Sequence, residues 1–135
     1  MSVFLDSGIF IAFLNRRDRW HFQAKALFNQ PRPPKWVTSV LVLSETYSWF
    51  LHRMGEEPAR SFRLFLENLT GLTLLEATLA HHHRALKMLD RFRGSKLTYV
   101  DASSLVWIAE RKITCVWSTD HHLGITGVEV LPREA

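Results

Sequence analysis

The chain alternates short apolar runs with longer stretches whose apolar residues recur at helical spacing. Val3 to Leu5 reads as a strand and stops at Asp6, Ser7 and Gly8, after which Ile9 to Leu14 are apolar again. The two runs together are too long for one strand, and Gly8 marks the break. The pattern predicts a strand, a turn and a short buried helix capped by Ser7. Asn15 to Arg19 is a polar loop. Trp20, Ala24, Leu27 and Phe28 then share one helical face, with Asp18 as a candidate N-cap, and the prolines between Gln30 and Pro34 stop that helix.

Trp36 to Thr38 reads as a second strand. Ser39 caps a helix that runs to about Met54, where Gly55 ends it. Glu56 to Leu69 is a further helix that tolerates Pro58 in its first turn. Leu72 to Leu75 is a strand, Thr78 opens a helix to about Phe92, and Arg93 to Lys96 is a basic loop. Tyr99 to Lys112 is helical, Ile113 to Trp117 a strand, Asp120 to Leu123 a turn or short helix, and Val128 to Leu131 a last strand. Apolar strands alternating with helices predict an α/β fold, a three-layer sandwich with a parallel sheet covered on both faces. No repeat, low-complexity tract or linker interrupts the pattern, so residues 1–135 are expected to form one domain. Ligands of such sheets bind beyond the carboxyl ends of the strands, where strand order reverses.

Composition narrows the class without naming a function. The nine Phe and five Trp argue against disorder, and 22% charged residues is ordinary for a globular protein. No apolar run approaches the ~18 residues of a membrane span. The first residues show no basic segment followed by an apolar stretch and cleavage site, so the expected location is the cytoplasm. The single cysteine, Cys115, excludes an internal disulfide and a multi-cysteine zinc site, and within its apolar run it reads as a small core residue. The net charge of +4 suits a polyanion such as RNA or DNA, or an acidic protein. Basic residues gather at Arg16, Arg17 and Arg19 and again at Arg91, Arg93 and Lys96. Both groups read either as solvated faces or as phosphate contacts that position a strand without reading its bases.

The candidate chemistry lies in four acids. Asp6 and Asp120 each follow a strand, so both lie on one rim if those strands are neighbours. Asp101 opens the helix that leads into the strand before Asp120; the pattern alone does not bring it to the rim. Each of the three also reads as a helix N-cap. Glu45 lies in a helix, Val40 to Leu51, that is apolar nearly all round, so it is expected to be buried and to need a partner. The alternative is a narrow solvated stripe with Ser48 and His52. If the four converge, their repulsion calls for a cation, and an all-oxygen set selects Mg²⁺ or Mn²⁺. Such an ion activates water and stabilises charge building up on a phosphate. His81, His82 and His83 are successive, so on a helix they point about 100° apart and read as a partly exposed helix start rather than a metal tract. His121 and His122 lie beside the proposed site, whose metal chemistry needs no imidazole. The tryptophans read mostly as core or interface, with base stacking the minority use.

These residues resemble the PIN-domain ribonucleases, and within them the VapC-type toxins. The resemblance rests on Phe4-Leu5-Asp6-Ser7, Ser44-Glu45-Thr46-Tyr47, Leu97-Thr98-Tyr99-Val100-Asp101-Ala102-Ser103, Trp117-Ser118-Thr119-Asp120-His121-His122-Leu123 and the closing run Gly127 to Pro132. Each motif is weak alone; together and in order they are specific, and they span nearly the whole chain. The resemblance implies a parallel sheet of about five strands in the order 3-2-1-4-5. It further implies Asp6, Glu45, Asp101 and Asp120 as the acidic metal site, with Ser7 and Thr119 as polar support; Arg16, Arg17, Arg93 and Lys96, from the basic clusters above, are the candidate RNA contacts. The implied activity is Mg²⁺- or Mn²⁺-dependent hydrolysis of RNA phosphodiesters, with a cognate antitoxin as partner and a homodimer as the usual assembly. Where the family often has an aromatic residue closing the last motif, this chain has His121, His122 and Leu123, which changes a detail of the rim. The competing readings are a PIN-like domain kept for RNA or protein binding, and a metal-dependent phosphatase. The haloacid-dehalogenase type of phosphatase is disfavoured because Gly8 stands where its second Asp is needed.

Overall fold

A computed structural model describes residues 1–133. Five parallel strands form one sheet in the order β3-β2-β1-β4-β5: β1 (Ser2–Leu5), β2 (Lys35–Ser39), β3 (Thr73–Leu75), β4 (Cys115–Trp117) and β5 (Glu129–Leu131). The helices among the described residues are α1 (Ser7–Leu14), α2 (His21–Phe28), α3 (Val40–Arg53), α4 (Glu56–Glu67), α5 (Leu79–Arg91) and α6 (Tyr99–Glu110), with a single 3-10 turn at His121–Gly124. The three-layer α/β expectation and its strand order therefore hold. None of these helices is long and apolar enough to cross a membrane.

The central strand, β1, is buried on both sides because Val3, Phe4 and Leu5 are all apolar, as a strand covered on two faces requires. It pairs with β2 through Phe4↔Val37 and with β4 through Leu5↔Trp117. Chain order runs outward from β1 to β3 and then returns to β4, so strand order reverses between β1 and β4. Right-handed crossovers put the helices of the outward and return passes on opposite faces. In the packing α1 meets α2, α3 and α4, and α5 meets α6, while α3 also meets α6. The first group is locked by aromatic rings: Phe10 meets Phe62 at 5.2 Å, Phe13 meets Phe65 at 4.8 Å, and Phe28 meets Trp117 at 5.2 Å. Most of the phenylalanines noticed in the composition therefore build one layer.

Local signals explain most element ends. Ser39 accepts a hydrogen bond from the Val42 amide, and Thr78 from the His81 amide, as N-caps do. Gly55 takes a φ of +97° between α3 and α4, a conformation that costs a side-chain-bearing residue strain. Three capping expectations need correction. Asp6, not Ser7, occupies the position before α1. Asp18 accepts from the Trp20 amide in the preceding turn, and Trp20 itself precedes α2. Thr98 is the cap of α6, with Asp101 three residues on. His81 is also corrected. It is fully buried between α5 and α6, bonded through Nε2 to Ser103 Oγ at 2.6 Å and stacked on Trp107 at 4.2 Å. Helical spacing puts His81 and Ala85 on the inner face of α5, which three consecutive histidines concealed.

Candidate metal centre at the carboxyl rim

β1 and β4 end side by side, and the backbone joins their exits: the Asp6 amide donates to the Trp117 carbonyl at 3.0 Å. Asp6 is 3% exposed. Although it stands at the cap position of α1, its side chain makes no capping bond. The carboxylate turns instead toward the loop after β4, where Ser118 Oγ donates to Oδ2 at 2.7 Å. The same Ser118 hydroxyl oxygen accepts the Asp120 amide at 2.9 Å. One buried hydroxyl thus ties the two strand-end acids together. Asp6 Oδ1 is buried and has no hydrogen-bond partner.

Asp101 reaches the rim from α6. Thr98 Oγ1 accepts the Asp101 amide at 3.1 Å, and Asp101 Oδ2 accepts the Thr98 amide at 3.0 Å, a reciprocal capping box. This bond uses one carboxylate oxygen, fixes the side chain at the start of the helix, and suits a negative charge to the positive end of the helix dipole. Asp120 caps the 3-10 turn, its Oδ1 accepting the His122 amide at 3.0 Å. His122 Nδ1 lies 3.0 Å from the same oxygen. One ligand atom from each of Asp101, Asp120 and His122 falls within 4.8 Å of the others, a spacing that one cation spans.

Burial pushes the Asp6 carboxyl up to about 7, and the charges of Asp101 and Glu45 add to the rise, while the bond from Ser118 and the nearby Ser7 amide, too poorly placed for a hydrogen bond, oppose it. Three acids that were far apart in sequence therefore act on one another electrostatically. Glu45 corrects its expectation: it is exposed, and α3 buries Val42, Thr46 and Phe50 instead. The solvated-stripe alternative describes its exposure, but it is not a loose surface acid. Ser7 Oγ donates to Glu45 Oε1 at 2.6 Å, which holds it beside Asp6.

The donor set fits a hard divalent ion. Two carboxylates and an imidazole offer ligand atoms within 4.8 Å of one another, and an adjacent buried carboxylate keeps one oxygen without a proton donor, which is costly unless something positive meets it. Sequence reasoning left His122 without a role and missed Ser118; the only available signal was the Ser118-Thr119-Asp120 spacing after a strand. Thr119 also meets the first turn of α1. A Cβ on Gly8 would lie 2.2 Å from Thr119 Oγ1, so Gly8 lets the β4 loop close onto the first turn of α1. Arg16 and Arg17 are exposed and line a depression with Trp49 and Arg53. Arg93 and Lys96 are exposed on the turn between α5 and α6, where no described contact joins them to the acids. Cys115 is inert here, since burial first, and then Glu129, push its thiol up to about 11.

The family model described as PIN domain matches residues 3–127. No curated protein matches the chain. Among solved structures, VapC20 from Mycobacterium tuberculosis, described as a sarcin–ricin loop cleaving toxin, is similar over 93% of this chain and 95% of that one, with 25% identity and a TM-score of 0.84. A toxin–antitoxin complex from Klebsiella pneumoniae matches over 98% and 99% at 16% identity, TM-score 0.70. VapBC-1 from nontypeable Haemophilus influenzae matches over 96% of both chains at 14% identity, TM-score 0.65. The last two likenesses concern the fold.

Proposed function

Because the chain belongs to the PIN-domain family, we propose that it is a metal-dependent endoribonuclease and the toxin half of a toxin–antitoxin pair. It works as one domain over residues 1–135, in the cytoplasm and as a homodimer, and is held in check by a cognate antitoxin protein. The observation that carries the reading is the gathering of Asp101, Asp120 and His122 beside Asp6, whose buried Oδ1 has no partner. Asp6, Asp101 and Asp120, with Glu45 at the edge, would hold Mg²⁺ or Mn²⁺. When bound, such an ion supplies Lewis acidity and a water of lowered pKa. The chain's own residues do the rest. Ser118 sets the distance between Asp6 and Asp120, and Ser7 steadies Glu45. Glu45, exposed at the edge, would accept at a carboxylate oxygen the proton of the water that attacks phosphorus, while the bond from phosphorus to the leaving ribose oxygen breaks and that oxygen is protonated from solvent. Hydrolysis by water needs no 2′-hydroxyl nucleophile.

The likeness to a toxin that cleaves the sarcin–ricin loop supports RNA as substrate and makes that loop the first one to try. The antitoxin partner is read from complexes of the same fold. The test is cleavage of that RNA with Mn²⁺ or Mg²⁺, with chelator, and in Asp6→Asn and Asp101→Asn. Activity is expected only with metal, and each variant should lose about two orders of magnitude or more. Cleavage surviving both substitutions would refute the site. Hydrolysis of a phosphomonoester with none of RNA would point to a phosphatase, and RNA binding without cleavage to a binding module.

A further inference from the structure

Beside the acids, two depressions on the surface run into one another. One, of about 380 Å³, is lined by Ser7, Glu45, Trp49 and Arg53 among others. The second, of about 580 Å³, is lined by Arg16 and Arg17 and again by Trp49 and Arg53. The shared residues make them one groove between α1 and α3. Glu45, Trp49 and Arg53 are spaced four residues apart, so they form a single stripe along α3, about 12 Å long at the helical rise per residue. Across the groove, Ser7 begins α1 and bonds Glu45, while Arg16 and Arg17 follow the end of α1. The two helices therefore run side by side in the same direction. The groove starts at Glu45, the edge of the acidic centre, passes a half-buried indole and ends among three guanidinium groups.

We propose that this groove seats the single-stranded RNA next to the scissile phosphate, with a base stacked on Trp49 and the backbone held by Arg53, Arg16 and Arg17. The proposal rests on the nuclease reading and adds the path of the substrate. Its length suits about three nucleotides at the per-strand rise of a stacked helix, fewer in an extended strand. An aromatic face followed by guanidinium forks is what a strand needs for sequence-tolerant stacking and for bidentate contacts to phosphate. An acidic peptide would match the arginines alone, whereas RNA also accounts for a groove that opens onto the reaction centre.

The test uses the full chain carrying Asp6→Asn, titrated without metal with a short fluorescent single-stranded RNA of mixed sequence over a range of salt. Trp49→Leu should weaken binding by roughly tenfold or more, and Trp49→Phe should keep most of it. Arg53→Gln and Arg16→Gln should each lower the slope of log affinity against log salt by about 0.7, while Arg53→Lys should restore it. Lys87→Gln on α5 serves as the control and should change nothing. In the otherwise unaltered enzyme Trp49→Leu, Arg53→Gln and Arg16→Gln should raise KM and leave kcat within about twofold. Binding and salt slope equal to the parent's in Trp49→Leu and Arg53→Gln would overturn the proposal even if cleavage is intact. Substitutions that weaken an acidic peptide but not RNA would overturn it in favour of a protein partner. If binding responds as expected but no RNA is cut with Mn²⁺, the groove stands and the nuclease reading falls.

Discussion

A carboxylate with one oxygen hydrogen-bonded and the other buried without a partner, as at Asp6, is held at a cost that the fold does not need to pay for stability alone. Its carboxyl titrates near 7 when no cation is present, against an ordinary value of 3.8. The folded chain then holds the proton more tightly than the unfolded chain does. The linked stabilisation is complete below about pH 4 and is lost as pH rises from there through about 7. Asp6→Asn cannot ionise, so in chelator at about pH 8 it should be more stable than the parent by a few kcal/mol, with the gap closing toward pH 4. Urea melts at the two pH values check this; a variant less stable than the parent at pH 8 would mean that Asp6 is paired after all. Ser118 makes the complementary case. Its hydroxyl serves Asp6 and Asp120 at once, so Ser118→Ala should cost about 10- to 100-fold in metal affinity or cleavage while the acids themselves remain. Manganese titration followed by single-turnover cleavage separates the two effects.

At the scale of elements, what was legible in the sequence was periodicity and punctuation. Ser39, Thr78 and Gly55 mark element ends because each acts on its own neighbourhood, through a cap or a φ that a side chain resists. Burial of polar residues was not legible, because it depends on which face of a helix meets which neighbour. Glu45 looked buried in an apolar helix and is exposed, since Val42, Thr46 and Phe50 face inward. His81 looked partly exposed beside two more histidines and is enclosed between α5 and α6. Of the candidate site, the three aspartates were expected from strand ends and motif order. The Ser118 bridge and the approach of Thr119 to Gly8 belong to a contact between β4 and α1 that spacing does not encode. The α5–α6 contact gives an element-scale prediction. His81→Ala removes a ring stacked on Trp107 and leaves Ser103 Oγ unpaired, so it should destabilise the chain by about 2–4 kcal/mol in chemical denaturation. Burial, followed by the charge of Arg84, holds the His81 pKa below its ordinary 6.5. That contribution to stability is therefore present above pH 6.5 and is lost as pH falls through the lowered value, the opposite sense to Asp6. A loss under about 1 kcal/mol would mean that the two helices do not depend on this pair.

For the molecule as a whole, the acids come from separate passes of the chain: Asp6 after β1, Glu45 from α3, Asp101 from α6 and Asp120 after β4. A cation that joins them has no counterpart in the unfolded chain, so its binding free energy adds to folding. At a hundredfold excess over Kd the gain is about 2.7 kcal/mol, which for a domain of this length is a rise in Tm on the order of 10 °C. The proton on Asp6 competes with the ion. With the carboxyl near 7, affinity should fall by about tenfold for each pH unit below that value. The same Mn²⁺ concentration should then raise Tm by on the order of 10 °C at about pH 8 and by little at about pH 5, with most of the rise absent in Asp6→Asn. Thermal melts of parent and variant at the two pH values decide it. An equal rise at both, or one that Asp6→Asn retains, would place the ion on Asp101, Asp120 and His122 without Asp6 and would leave the buried oxygen of Asp6 unexplained.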